Sequence, residues 1–328
     1  MSEPINLPYS CQSLQGSTCL VTGAAGFIGS HLVDALIEQG SEVRALDNLS
    51  TGFKKNLAHL DGHAQFTFVD GDAADPATTA EAVKGCDAIF HLAAMASVPR
   101  SMREPALCHA WCATSTVNLL DAANQAGVRR MVLASTSAAY GDSTFVSKRE
   151  TDPPAPLSPY AAAKLSAENY LRSFAKTSDL ETVILRFFNV FGPRQDPQSE
   201  YSAVIPRFVS LILASQPPVI YGDGLQSRDF VYVQDVAKAN LLAATVPGIS
   251  GEVFNVARGQ RTTLLELIAI LSDLLEKPIT PIHEPARLGD VRDSLADVSH
   301  SRTSLLFEPD VDMVDGLRRS IDYYRSIV

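Results

Sequence analysis

Short apolar runs and longer helical patterns alternate along the first two thirds of the chain. Thr18 to Thr22 is a continuous apolar segment, the signature of a strand buried on both faces. Ser30 to Gln39 follows, with Leu32, Val33, Leu36 and Ile37 on one helical face and Gly40 as its stop. The pairing then repeats. Strands are predicted at Glu42 to Leu46, Gln65 to Val69, Asp87 to Leu92, Arg130 to Ala134 and Thr182 to Phe187. Helices are predicted at Pro76 to Lys84, Pro105 to Gln125 and about Pro159 to Thr177. Pro153, Pro154, Pro156 and Pro159 break regular structure before the last of these. This alternation predicts an α/β fold, a doubly wound parallel sheet with helices on both faces. Ligands of such sheets sit beyond the carboxyl ends of the strands.

Beyond Phe187 the alternation loosens. Loops such as Gly192-Pro193-Arg194 and Tyr221-Gly222-Asp223-Gly224 separate shorter elements, with helices expected at Ala203 to Ala214, Asp235 to Thr245, Leu264 to Leu275 and Val314 to Arg325. This half reads as a smaller α/β substrate lobe. Residues 1–16 read as a polar N-terminal extension without the basic, apolar pattern of a signal peptide. No stretch approaches the roughly 18 apolar residues of a transmembrane helix.

Charge narrows the partners. The formal net charge is −10, which argues against nucleic acid and anionic membranes but leaves room for a small anion held by local arginines. Five cysteines, Cys11, Cys19, Cys86, Cys108 and Cys112, are odd in number and fall mostly inside elements. They read as reduced core thiols of a cytoplasmic enzyme. Cys108 and Cys112 alone make a poor metal site, and no metal is expected.

The chemistry begins at Gly23-Ala24-Ala25-Gly26-Phe27-Ile28-Gly29, between the first strand and first helix. Backbone N–H groups and the helix dipole make such a turn an anion site, and glycines let a pyrophosphate approach. Asp47, eighteen residues past Gly29 at the end of the second strand, suits an adenosine ribose. Tyr160 and Lys164 lie four apart at the start of a helix, one turn above each other. Thr136 follows the fifth strand. A tyrosine, a lysine and a hydroxyl around a nicotinamide suit hydride removal from an alcohol. The tyrosine must fall by about 3 pH units, about 4 kcal/mol. One positive charge at about 4 Å and an effective dielectric of about 20 supplies that much, so Lys164 and an oxidised nicotinamide are expected to lower it.

These motifs resemble the extended short-chain dehydrogenase/reductases, in particular nucleotide-sugar 4-epimerases of the NAD-dependent epimerase/dehydratase family. The likeness runs from about residue 18 to the end. It rests on the glycine turn, Asp47-Asn48, Gly71-Asp72, His91-Leu92-Ala93-Ala94, Tyr160…Lys164, Asn189-Val190-Phe191-Gly192 and Gly222-Asp223-Gly224…Arg228-Asp229-Phe230. Ser97-Val98-Pro99-Arg100-Ser101 and Arg194-Gln195-Asp196-Pro197 are similar to bacterial UDP-N-acetylglucosamine 4-epimerases. The resemblance implies a Rossmann-type fold with interleaved lobes, residues 17–186 with 229–258 for NAD and 187–228 with 259–328 for a UDP-sugar. It implies Tyr160 as base, Lys164 as its partner and Thr136 on the sugar hydroxyl. It places NAD on Gly23, Gly26, Phe27, Ile28, Gly29, Asp47, Asn48, Ser50, Thr51, Gly52, Asp72, Ala73, Leu92, Ala93, Ala94, Tyr160 and Lys164. It places substrate on Ser97, Ser137, Asn189, Val204, Tyr221, Arg228, Arg287, Asp290 and Ser294, with the two arginines on the diphosphate and Asp290 on the uridine ribose. A homodimer through helices near 105–125 and 160–177 is implied as well.

Departures refine the reaction. Related dehydratases and decarboxylases carry an acid just after the catalytic threonine, where this chain has Ser137 and Ala138. Epimerisation at C4 needs no such acid. A UDP-glucuronate or UDP-N-acetylglucosaminuronate 4-epimerase is the alternative, with Arg100 or Arg194 pairing a C6 carboxylate. A non-catalytic NAD sensor is disfavoured by the intact Thr136, Tyr160 and Lys164. His91 reads as a packing residue beside the cofactor and not as a base.

Overall fold

A computed structural model describes residues 5, 7, 8, 11–142, 145–198, 203–286 and 292–327. The strands, in chain order, are β1 (Thr18–Thr22), β2 (Glu42–Asp47), β3 (Phe66–Asp70), β4 (Ala88–His91), β5 (Arg130–Thr136), β6 (Glu181–Phe187), β7 (Asn189–Phe191), β8 (Val219–Tyr221), β9 (Ser227–Tyr232), β10 (Val253–Val256), β11 (Arg261–Thr263) and β12 (Ile282–Glu284). Seven of them form one parallel sheet in the order β10-β6-β5-β4-β1-β2-β3. The order reverses between β1 and β4, which opens a crevice at their carboxyl ends.

The helices are α1 (Phe27–Glu38), α2 (Pro76–Ala82), α3 (Val98–Arg103), α4 (Pro105–His109), α5 (Ser115–Ala126), α6 (Pro159–Thr177), α7 (Val204–Leu213), α8 (Val233–Thr245), α9 (Leu264–Leu275), α10 (Ser299–Thr303) and α11 (Met313–Ile327). Alternate strand residues serve the two faces of the large sheet. Cys19, Val21, Phe90, Val132 and Val183 join Leu32 and Leu36 of α1 and Leu241 and Leu242 of α8. Leu20, Ile89, Met131, Leu133 and Ile184 join Leu119 and Leu120 of α5 and Ala167 and Leu171 of α6. A third core, with Phe191, Phe208, Phe230, Leu267 and Leu317, holds α7, α9 and α11 against the small sheet β11-β9-β7.

Three expectations change. The helix foreseen over Pro105 to Gln125 is interrupted by a π-helical turn, Ala110–Thr114. Ser115 Oγ donates to the Trp111 oxygen and Thr116 Oγ1 to the Cys112 oxygen, both at 2.7 Å, and such back-bonding to i−4 carbonyls loosens the helical ladder. The N-terminal extension is not a polar appendage where it is described. Leu14 is buried, and Ile5, Leu7 and Cys11 pack on the large core. Gln12 N donates to Thr245 O and Gly16 N to Gly40 O. Finally, α3 was not foreseen, although Ser97 caps it by accepting from Arg100 N and Pro99 stands in its first turn. All five cysteines are free thiols, and all but Cys11 are buried. No helix among the described residues is long and apolar enough to cross a membrane.

Candidate active site

A cavity of about 420 Å³ opens in the crevice beyond β1, β2, β4 and β5. One end is the glycine turn. A Cβ on Gly23 would stand 2.7 Å from Ala93 N, one on Gly29 2.1 Å from Gly23 O, and one on Gly52 2.8 Å from Ala25 C. Only glycine fits at all three. Gly23 also has φ of +69°, which suits glycine. No side chain caps the start of α1, so its first N–H groups are free for an anion. Phe27, Ile28 and Gly29 of that first turn, with Gly26, line the cavity.

The adjoining wall carries Asp47, Asn48, Ser50, Thr51, Gly52, Asp72 and Ala73. Asp47 is 7% exposed. Its carboxylate accepts from Ala25 N at 2.9 Å and Leu49 N at 2.8 Å. Burial pushes this carboxyl up, and the two N–H bonds pull it back. Leu92, Ala93 and Ala94 form the middle of the wall. These donors, this acid and the bare helix end fit a dinucleotide.

Tyr160 and Lys164 line the opposite end. Ser158 accepts from Ala161 N and Pro159 opens the helix, so α6 starts immediately before the tyrosine. Thr136 ends β5 beside Tyr160, and its hydroxyl favours the phenolate. Lys164 is 1% exposed and its Nζ donates to Ala134 O at 2.8 Å. The expected lowering of the Tyr160 phenol by Lys164 is not what the protein alone provides. Burial pushes the phenol well above its ordinary range, against the pull of the Thr136 hydrogen bond. Burial likewise pushes the Lys164 ammonium down.

His91 stands behind this wall, fully buried. Its Nδ1 is 2.7 Å from Thr22 Oγ1 and its Nε2 3.2 Å from Ser115 Oγ. Burial first and the Lys164 charge second hold it well below the usual histidine range, so it is a neutral packing group.

Sequence reasoning missed Trp111, Ser115, Ser135, Phe187, Gln195 and Asp196, which also line the cavity. Gln195 and Asp196 lie within a motif quoted above without a role, and Ser135 directly precedes Thr136. Trp111, the one tryptophan, gave no signal, because the π-helical turn that carries it has no sequence period of its own.

The substrate candidates do not line this cavity. Ser97, Ser137, Asn189, Val204, Tyr221, Arg228 and Ser294 are all half-buried, with Asn189, Val204, Tyr221 and Arg228 on β7, α7, β8 and β9. Arg228 Nη1 donates to Ser227 O at 2.8 Å and Arg292 O at 3.3 Å. Arg287 and Asp290 lie outside the described residues. Arg100 is paired with Glu104 at 3.2 Å and stacks over Trp111 at 5.2 Å. Arg194 is paired with Asp34 at 2.8 Å.

Known proteins are similar to this chain along most of its length. A family model, the NAD dependent epimerase/dehydratase family, matches residues 19–257. A UDP-glucose 4-epimerase of Mycolicibacterium smegmatis is 38% identical over 309 residues, 94% of this chain and 98% of that protein. The solved UDP-N-acetylglucosamine 4-epimerase of Methanobrevibacter ruminantium, in complex with UDP-N-acetylmuramic acid, is 42% identical with a TM-score of 0.91, covering 96% of this chain and all of that one. A UDP-glucuronic acid 4-epimerase of Bacillus cereus, solved with UDP-glucuronic acid and NAD, is 31% identical with a TM-score of 0.88 over 95% of this chain and all of that one.

Proposed function

The chain belongs to the NAD dependent epimerase/dehydratase family, and on that premise we propose that it interconverts the C4 epimers of a UDP-hexose. UDP-N-acetylglucosamine and UDP-N-acetylgalactosamine are the substrates this reading favours, with UDP-glucose and UDP-galactose also accepted. The observation that carries it is that Tyr160 and Lys164 line one end of a glycine-cradled cavity, with Thr136 beside the tyrosine.

Tyr160 takes the proton of the C4 hydroxyl and returns it, and Thr136 holds that hydroxyl in line. NAD, held by the glycine turn and Asp47, would supply the hydride acceptor and donor for a transient 4-keto sugar. Lys164 adds positive charge beside the phenol, but its ammonium is directed to Ala134 O. The lowering that Tyr160 requires would come from Lys164 together with the positive charge of an oxidised nicotinamide. Ser137 and Ala138 leave the end of β5 without an acid, which supports epimerisation over dehydration or decarboxylation.

Arg100 and Arg194, which would pair a C6 carboxylate in the uronate alternative, are instead paired with Glu104 and Asp34. Arg228, with Arg287, is assigned to the diphosphate, Asp290 to the uridine ribose, and Ser97, Ser137, Asn189, Val204, Tyr221 and Ser294 to the rest of the UDP-sugar. A homodimer through α5 and α6 belongs to the same proposal, as do the lobe boundaries at residues 186, 228 and 258.

Incubating the purified protein with UDP-N-acetylglucosamine, UDP-glucose and UDP-glucuronate, and resolving products by NMR, tests the reading. C4 epimers of the first two are expected. Turnover of UDP-glucuronate alone would overturn the hexose assignment.

A further inference from the structure

Behind the catalytic end lies a buried polar cluster with no part in the chemistry above. Ser135, Glu168 and Arg186 are 4%, 1% and 2% exposed. Glu168 Oε1 accepts from Ser135 Oγ at 2.5 Å and from Arg186 Nε at 3.0 Å, and Oε2 accepts from Arg186 Nη2 at 2.7 Å. The Arg186 guanidinium also stands 4.6 Å from the centre of the Tyr140 ring. A buried ion pair adds little net stability over apolar residues of the same shape. Its contribution here is direction.

One face of α6 meets the last three residues of β5 at three points. Lys164 Nζ donates to Ala134 O, Glu168 Oε1 accepts from Ser135 Oγ, and Tyr160 stands beside Thr136. The helix residues are spaced by four, one turn apart. The strand residues are consecutive. The two hydrogen bonds oppose sliding or turning of the helix on the strand. The Ser135 bond ends on a carboxylate that Arg186, on the neighbouring strand β6, holds from both oxygens.

We propose that Glu168, locked by Arg186, is a positioning residue that sets the register of Tyr160 against Thr136 through Ser135. This rests on the reading that Tyr160 and Thr136 act on the sugar hydroxyl. Near-attack geometry is steep in distance, and a misplacement of about 1 Å costs on the order of a hundredfold. A ladder held at both ends limits the play of the tyrosine to a fraction of that.

The test is Ser135→Ala, which removes one bond and leaves the ion pair whole. Glu168→Gln is the second variant, and if it fails to fold, Ser135→Ala decides alone. Expected for Ser135→Ala is a kcat lower by about tenfold, with KM and the NAD titration within about twofold of wild type. A kcat within about twofold of wild type, or a loss of kcat matched by an equal loss of NAD affinity, would overturn the proposal. A wild-type protein inert towards every UDP-sugar refutes the reaction and not the ladder. The ladder is then read from the phenol of Tyr160, by ultraviolet titration of NAD-bound Ser135→Ala and wild type, each against its Tyr160→Phe counterpart. An upward shift of about half a pH unit or more is expected as the Thr136 bond slackens, and coincident midpoints overturn the ladder.

Discussion

Lys164 donates its ammonium proton to the main-chain oxygen of Ala134 at 2.8 Å. The lysine thereby fixes the helix on the strand, while the phenol one turn before it remains in surroundings that favour its protonated form.

Tyr160→Phe is expected to fold and bind NAD as wild type does, since its ring stays packed against the buried cluster of Met95, Cys108, Cys112, Ala113 and Ala163. Its turnover should fall by roughly a hundredfold or more, the loss typical of a missing general base. Steady-state rates on UDP-N-acetylglucosamine, with NAD binding followed by quenching of Trp111, check this. Near-normal epimerisation would remove Tyr160 from the mechanism.

NAD should bind more tightly than NADP, by at least about tenfold. A 2′-phosphate would set two negative charges against Asp47, whose carboxylate is 7% exposed and already committed to Ala25 N and Leu49 N. Titration with both nucleotides decides the matter, and equal affinities would mean that Asp47 braces the turn without reading the ribose.

Stability should carry an acid-sensitive component from His91. The folded protein holds this ring neutral, well below the usual range, while an unfolded chain protonates it near pH 6.5. The unfolded state therefore binds the extra proton as pH falls below 6.5, and stability drops, by up to about 1.4 kcal/mol per pH unit. The component is complete once pH falls below the folded value. Buried Asp229 and Asp235, each pushed up to about 6, act in the opposite sense, so the comparison must be between proteins. Urea unfolding from pH 7 to 5 should show a shallower acid loss in His91→Asn than in wild type. Parallel curves would place the titration elsewhere.

Ser294→Tyr is expected to abolish turnover of UDP-N-acetylglucosamine while sparing UDP-glucose. Ser294 is half-buried and its N–H is anchored to Ser227 O at 3.1 Å, so a larger side chain here cannot move off with its backbone. Overpacking of a filled site costs about 1–3 kcal/mol, and the N-acetyl group needs the space that a plain hexose leaves. kcat/KM for both sugars on both proteins is the measure. Equal losses would assign Ser294 to the fold.

The first six strands were legible because parallel strands covered on both faces are written as unbroken apolar runs, as in Cys19-Leu20-Val21 and Met131-Val132-Leu133. The glycine turn and Tyr160…Lys164 were legible because their spacing is local. β10 was not, since Val253–Val256 is short and its partner β6 lies far back in the chain. Nor was the pairing of Glu168 with Arg186, which single-sequence patterning reads as one helix charge and one strand charge. Trp111 escaped because its place depends on an extra residue in a helical turn. What the pattern could not carry is the set of contacts made across large sequence separations.

The return of α8 and β10 to the large sheet has a consequence for the order of synthesis. When a ribosome has released residues up to Phe187, six strands and six helices are available. Val183 and Leu185 of β6, with the side of α1 that α8 covers, have nothing to rest on until residues 233–256 emerge. The nascent chain thus carries an open apolar flank and an unpaired strand edge while some seventy further residues are made, a state prone to association with its neighbours. Completion of the large sheet must therefore await translation of residues 188–252, which lie between its last two strands.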